Sequence, residues 1–429
     1  MKKNFNIAII GLGNIGAYLL NYLQKNNKNL SKKSKVNSKI LFVSAKNIKK
    51  KRKISLKNVK WLKDCMKATS DPNVNIIIEL IGGSDGVAKK LVFKALKNKK
   101  HVITANKALI AKYGDELSKI AEKNKVNLEF EAAVCGGLPL IRSVKESLVA
   151  NKINKFYGIF NGTSNYILSS MSSDNINFDE SLKKAKSLGY AESNPISDLN
   201  GEDVSSKIKI LSSLCFNSFL NHKVHVEGIK NIDKQDIVNA SNLGYSIKLL
   251  GTSYLENNRI CQRVHPVLIK KKSYIAGING VLNAVVIEGR PVGQSIIQGE
   301  GAGPEATTSA IVSDLTSIYR GNIKYPFGVS NKDRKSLKNY DLDSLFFSAY
   351  MRLEVKDKKG VLSNVTKTFS INKVSIKRLI QNPYKNKKNS SILIITHKAK
   401  NSNLVKTLKQ LSKKKYITKK PKFIRIDDL

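Results

Sequence analysis

The sequence predicts an α/β chain in three parts: a doubly wound parallel sheet, a second α+β domain, and a small ferredoxin-like unit at the C-terminal end. Three observations predict it. Up to about Phe130, short apolar runs alternate with helical stretches, the pattern of a parallel sheet with crossover helices. From Ala132 to Gly328, glycine-containing turns interrupt longer helical patterns. After Ser344 the order reads strand, helix, strand, strand, helix, strand. The expected spans are 1–131, 132–330 and 344–429, with the polar, aperiodic stretch 331–343 as a linker.

The first strand, Ile7–Ile10, runs straight into Gly11-Leu12-Gly13-Asn14-Ile15-Gly16, and a helical pattern follows. A G-x-G-x-x-G string alone is weak evidence. Between a strand and a helix it is the dinucleotide-binding (Rossmann) fingerprint: Gly11, Gly13 and Gly16 permit the tight turn, close approach of a pyrophosphate and helix-on-strand packing. Asn14 and Ile15 open the helix, whose amides and positive dipole end face the phosphates. The second strand, Ile40–Val43, points to the cofactor. An NAD site places an acid about 20 residues on, yet no Asp or Glu precedes Asp64. The strand instead ends Ser44-Ala45-Lys46, followed by Lys49–Lys53, which suits a 2′-phosphate, so NADPH is expected, with NADH as the alternative. The strands Ile76–Leu80, His101–Thr104 and Leu128–Glu131 complete the sheet. Thr104 and Lys107, just beyond a strand end, should border the nicotinamide.

Chemistry concentrates between Leu188 and Lys207, where Glu192, Asp198, Glu202 and Asp203 stand close to Lys207. If a helix begins near Gly201, Asp203 and Lys207 are i,i+4 and share a face. That pair would be an ordinary surface salt bridge, except that Ile208, Ile210, Leu211 and Leu214 make the helix largely buried. A lysine on such a helix needs a carboxylate partner or a chemical task.

Composition narrows the classes. The chain has 429 residues, 41% hydrophobic and 25% charged, which excludes a disordered or fibrous protein. A net charge of +44 raises a polyanion partner, but the lysines are spread along the whole chain, so neither nucleic acid nor membrane is expected. Cys65, Cys135, Cys215 and Cys261 are far apart, as for reduced thiols, and no apolar run approaches the ~18 residues of a membrane span. A cytoplasmic protein is expected.

The motifs stand in a recognisable order: Gly11–Gly16, Thr104–Ala111 (TANKALIA), Glu131–Pro139 (EAAVCGGLP), Asn161–Tyr166 (NGTSNY), Gly189–Lys207, Arg263–Pro266 (RVHP) and Gly299–Gly303 (GEGAG). In this the sequence resembles the homoserine dehydrogenase family nearly end to end, and the C-terminal block, with Asp357–Leu362, resembles the ACT regulatory domain. No kinase-length segment precedes Gly11, so the monofunctional form is expected. The resemblance implies NAD(P)-dependent interconversion of L-homoserine and L-aspartate 4-semialdehyde, in threonine, methionine and isoleucine biosynthesis. It implies Lys207 as proton donor, Lys107 as substrate orienter beside the cofactor, and Asp198 as holder of the Lys207 ammonium. Glu192 and Asp203 would meet the substrate's α-amino group, and Thr163 and Tyr190 its remaining polar groups. Gly189, Glu192 and Gly303 would join the cofactor contacts. Glu131, Val134, Gly136 and Leu138 would surround a sodium ion, largely through carbonyls, while His265 is read as a packing residue.

The family also implies a homodimer or higher homo-oligomer built on the middle domain, and threonine as the effector of the C-terminal unit. A chain ending near Asn331 is then expected to stay catalytic. Cys135 and Ser193-Asn194 depart from the family pattern, as does the lysine-rich insertion Lys385–Lys388. Another NADP-linked amino-acid or aldehyde dehydrogenase, and a nucleic-acid-binding protein suggested by charge alone, are the other readings of the sequence.

Overall fold

Ile7, Ala8, Ile9 and Ile10 are each at most 1% exposed, so this run is covered on both faces, as the centre of a parallel sheet must be. The computed structural model describes residues 3–321, 323–383 and 388–429. Its first unit runs β1 (Lys3–Ile10), α1 (Asn14–Ser34), β2 (Val36–Ser44), β3 (Lys60–Trp61), α2 (Lys67–Ser70), β4 (Ile76–Glu79), α3 (Val87–Lys97), β5 (His101–Thr104), α4 (Lys107–Lys123) and β6 (Leu128–Glu129). The order β3-β2-β1-β4-β5-β6, parallel throughout, reverses direction between β1 and β4. A crevice opens at that switch point, beyond the strand ends. β6 is shorter than expected because the chain turns at Glu131–Ala133.

The middle region holds α5 (Leu140–Arg142), β7 (Lys152–Ile159), α6 (Gly162–Ser173), α7 (Phe178–Ser187), α8 (Ile196–Leu199), α9 (Glu202–Phe216), β8 (His225–Val226), α10 (Lys234–Asn242), β9 (Tyr245–Glu256), β10 (Arg259–Lys270), β11 (Leu282–Arg290), β12 (Gly293–Glu300) and α11 (Pro304–Tyr319). The helical reading of this region misses two hairpins, β9–β10 and β11–β12, which with β7 form an antiparallel sheet. Ile260–Ile269 is buried at every position, so no alternation of period two marks β10 as a strand. The β9–β10 turn is Asn257-Asn258, both at positive φ, as a two-residue hairpin requires. The expected 132–330 boundary is also crossed. Ile311, Leu315, Ile318 and Tyr319 of α11 join Ile7, Ile9, Leu19 and Leu20 in one core, so α11 returns to cover the first sheet.

The C-terminal unit comprises β13 (Lys338–Asn339), β14 (Phe346–Lys356), α12 (Val361–Ile371), β15 (Ile376–Pro383), β16 (Asn389–Thr396), β17 (Ala399–Lys400), α13 (Asn401–Leu411) and β18 (Lys422–Ile426). Its strand order β18-β14-β16-β15, antiparallel with two helices, is the expected ferredoxin-like arrangement. Its attachment differs from expectation. β18 pairs in parallel with β10, so the C-terminal strands continue the middle sheet. The stretch 331–343 is a packed segment, not a free linker. The Arg334 side chain is fully buried, paired with Asp115 at 2.6 Å, and β13 pairs with β10. Arg352 of β14 meets Asp236 of α10 at 2.8 Å, Asp233 at 2.5 Å and Glu354 at 2.7 Å. Most of the Lys385–Lys388 insertion, residues 385–387, lies outside the described residues.

Candidate active site

The glycine loop leaves β1 through Gly11 at φ 108°, and a side chain on Gly16 would strike the Gly11 carbonyl, so neither position tolerates another residue without a shift. Gly13 caps α1 with no side-chain bond. The amides of Asn14 and Ile15 therefore have no partner among the described residues and remain available to an anion. Of the expected 2′-phosphate groups, Lys46 is exposed beyond β2, but the Ser44 hydroxyl is buried and donates to the Leu62 carbonyl. The cation that folding brings to the loop is Arg52. Its Nε donates to the Leu12 carbonyl at 2.8 Å, and its guanidinium lies 5.4 Å from the Trp61 ring centre. Inside the basic run it was the lone arginine, the one signal that could have singled it out. The Thr104 hydroxyl donates to buried Glu79 at 2.6 Å and accepts from the Asn106 amide, so the side chain braces the loop.

At the other end of the crevice, α9 carries Asp203 and Lys207 on one face, 2.8 Å apart, as the i,i+4 spacing predicts. Asp203 also meets Lys107, from the start of α4, at 3.0 Å. One carboxylate thus anchors both lysines. The direct ion pair to Lys207 comes from Asp203, while Asp198 favours its charge from farther off. Asp198, on α8, accepts from Asn161 Nδ2 at 2.8 Å, and that same nitrogen donates to Asp203 at 2.9 Å. Asn161 Oδ1 accepts the Ser164 amide and caps α6, so the residue is fixed at both ends. It is a site residue the sequence reading quoted without assigning.

Electrostatics follows from this packing. Burial would raise the Asp203 carboxyl, but Lys207 and Lys107 hold it well below the usual carboxylate range. Burial opposes the Lys207 charge, yet Asp203 more than offsets it, leaving Lys207 above its ordinary value. Burial, with Asp203 beside it, raises Asp198. The Cys135 thiol, pushed up to about 12 by burial, is a packing group rather than a nucleophile. His265 is buried and pushed down to about 3 by that burial, consistent with a neutral packing residue.

Lys107, Cys135, Asn161, Asp198, Asp203 and Lys207 line one cleft of about 630 Å³, together with Ile15, Gly136, Thr163, Gly189, Tyr190, Glu192 and Gly303. Thr163 Oγ1 donates to the Tyr190 carbonyl at 2.7 Å, tying α6 to the loop bearing Glu192. The cleft joins a phosphate-ready helix end to a lysine–carboxylate cluster, the layout of a nucleotide-dependent oxidoreductase. A family model described as homoserine dehydrogenase matches residues 139–316, and one for the NAD-binding domain of homoserine dehydrogenase matches residues 11–131. The chain is 35% identical to the homoserine dehydrogenase of Neisseria gonorrhoeae, covering 100% of this chain and 99% of that one. The chain belongs to the homoserine dehydrogenase family. It is also 34% identical to the Helicobacter pylori homoserine dehydrogenase over the full length of both. A crystal structure of the homoserine dehydrogenase from Thiobacillus denitrificans superposes with a TM-score of 0.92 at 32% identity, covering 100% and 99% of the two chains. Homoserine dehydrogenase activity follows from this membership, with an NAD(P) cofactor implied by the matched NAD-binding domain.

The carbonyl cage suggested for sodium can be weighed by its donors. Among the described residues no cluster of three or more His, Cys, Asp or Glu is placed to hold a metal. The Glu131 carboxylate is already committed to the Ile141 and Arg142 amides at 2.9 and 2.8 Å. The carbonyls of Val134 and Gly136 accept no backbone bond among the described residues. Those of Glu131 and Leu138 each accept one and keep a second lone pair. An all-carbonyl set suits a hard cation.

Proposed function

We propose that the chain interconverts L-aspartate 4-semialdehyde and L-homoserine with NADPH as preferred cofactor and Lys207 as proton donor. One observation carries the reading. An ammonium has three N–H donors. Two on Lys207 are spent, on Asp203 at 2.8 Å and on the Phe160 carbonyl at 2.6 Å. The third is left for the cleft that Lys207 lines. When bound, the nicotinamide supplies or accepts the hydride at the substrate carbon. Lys207 protonates the aldehyde oxygen, and its raised proton affinity keeps it charged for that task. Lys107, half-exposed beside the same carboxylate, orients the substrate. Asp203 already serves two lysines and Asn161, so the α-ammonium is assigned to Glu192 and Asp198, with Thr163 and Tyr190 at the remaining polar groups. Glu131, Val134, Gly136 and Leu138 would hold a sodium ion through their carbonyls, stiffening the turn that floors the cleft.

NADPH preference is supported by Arg52 at the glycine loop, by Lys46, and by the absence of an acid at the end of β2. Arg52→Ala is expected to raise KM for NADPH about tenfold to a hundredfold, the scale of a lost charge-assisted bond, and to leave NADH kinetics nearly unchanged. Steady-state kinetics with both cofactors and aspartate semialdehyde measure this. Equal efficiency of wild type with NADH would remove the preference, and no turnover with either would remove the reaction.

The C-terminal unit is read as an ACT-type module responding to threonine, with Gly360 in a left-handed turn at the start of α12. Gln381, near the end of β15, is read as a polar contact for the effector, and its Nε2 donates to Ser390 Oγ at 3.2 Å. Self-association is read at the middle sheet, whose edge strand β12 bonds only to β11 among the described residues. Light scattering and rate assays, with and without millimolar threonine, test both. A dimer inhibited by threonine is expected. A monodisperse monomer counts against self-association, and a rate unchanged by threonine counts against the ACT-type response.

A further inference from the structure

The two carboxylates of the cleft stand on either side of a sharp junction, Asp198 on α8 and Asp203 in the first turn of α9. The junction, Leu199–Gly201, rests on the segment that follows β8. The Ile229 amide donates to the Leu199 carbonyl at 2.9 Å, and the Glu227 amide donates to the Val264 carbonyl of β10 at 2.7 Å. At Gly228 the fit is so close that any side chain would strike the Leu199 carbonyl and Asn200. The segment 226–229 is therefore the bed that sets the height of both carboxylates.

Glu227 fastens that bed from below. Its carboxylate accepts from Arg425 Nη1 at 2.9 Å and meets His225 Nε2 at 2.7 Å. Arg425 is a residue of β18, 3% exposed, with its Nε donating to Asn401 Oδ1 at 2.9 Å and its guanidinium over the rings of Phe347 and Phe423. An arginine so braced is a fixed post. We propose that Glu227, held by Arg425 of the C-terminal strand, is a positioning residue for the Asp198–Asp203 pair. Neither residue touches the cleft, so the effect travels through backbone contact at 199–201. Arg425 and His225 hold the Glu227 carboxyl down at about 2 against the opposing effect of burial, so the tether stays charged at neutral pH.

The proposal rests on the reading of Asp203 and Lys207 given above, and its test separates the two. Full-length Glu227→Gln and Arg425→Lys are assayed with NADPH and aspartate semialdehyde beside Lys207→Ala. NADPH affinity by fluorescence titration and thermal unfolding are measured on the same samples. In Glu227→Gln, turnover is expected to fall roughly tenfold or more, since misplacing reacting groups by an ångström costs up to about 10²-fold. KM for the semialdehyde should rise, while NADPH affinity and the cooperative melt stay as in wild type. Arg425→Lys, which keeps the charge, should retain most of the turnover. If Glu227→Gln does not fold, Glu227→Asp takes its place and must show the same split. Wild-type turnover and KM, or a loss matched by an equal loss of NADPH affinity, would overturn the proposal. A Lys207→Ala enzyme that kept its turnover would instead overturn the catalytic reading beneath it.

Discussion

Replacing Lys207 by Ala is expected to lower turnover by about 10²–10⁴, the contribution of one positioned proton donor, with NADPH affinity nearly unchanged. Among the described residues the side chain bonds to Asp203 and the Phe160 carbonyl, both at the substrate end of the cleft, so the glycine loop does not feel its loss. The substitution also leaves Asp203 buried with Lys107 as its one remaining cation among the described residues. A modest fall in stability is therefore expected beside the catalytic loss, and thermal unfolding separates the two. The pH dependence has a definite sign. Because the proton affinity of Lys207 is raised above the ordinary lysine value of 10.5, reduction should show no loss from its titration up to about that pH. Oxidation of homoserine needs the neutral amine and should climb with pH over the same range. A variant with near wild-type turnover, or an oxidation rate flat with pH, would remove Lys207 from the chemistry.

Ending the chain at Asn331 is expected to give no stable folded protein, against the sequence expectation of an active fragment. The cut deletes Arg334 and leaves its partner Asp115 unpaired. It deletes Arg352 and leaves Asp236, fully buried, facing Asp233 with no cation between them. It deletes Asp427 and leaves buried Arg263 unpaired. Breaking one buried pair from one side costs about 3–5 kcal/mol, and a whole domain holds only about 5–15 kcal/mol. Two such breaks, at Asp236 and Arg263, together with the loss of Arg334 beside the partly exposed Asp115 and a bared β10 edge where β18 had paired, consume most or all of that margin. Size-exclusion and a circular-dichroism melt of residues 1–331 decide it. A monodisperse fragment with a cooperative transition and normal turnover would make the C-terminal unit a detachable module after all.

What the sequence could say followed from local rules. The glycine loop, the short buried strands of the first sheet and the βαββαβ order at the end are all written within a few residues of themselves. The Asp203/Lys207 pair was equally legible, because four residues on a helix is a contact. There the local spacing identified the directly paired carboxylate, while Asp198, the partner carried over from the family, acts on Lys207 from farther off. The hairpins β9–β10 and β11–β12 were not legible as strands. In a sheet covered on both faces the period-two signal disappears, and the Asn257-Asn258 turn alone did not suffice.

Tertiary structure decided everything that depends on long-range contact. It selected Arg52 rather than Ser44 as the group beside the glycine loop, because the basic run folds back onto Trp61 some nine residues later in the chain. It made Asn161 the bridge between two carboxylates that lie 37 and 42 residues away. It turned an expected linker into a buried segment by placing Arg334 beside Asp115, 219 residues earlier. In each case the deciding term is desolvation: a charge or amide withdrawn from water must take whatever partner the fold brings within reach, and sequence distance does not name that partner.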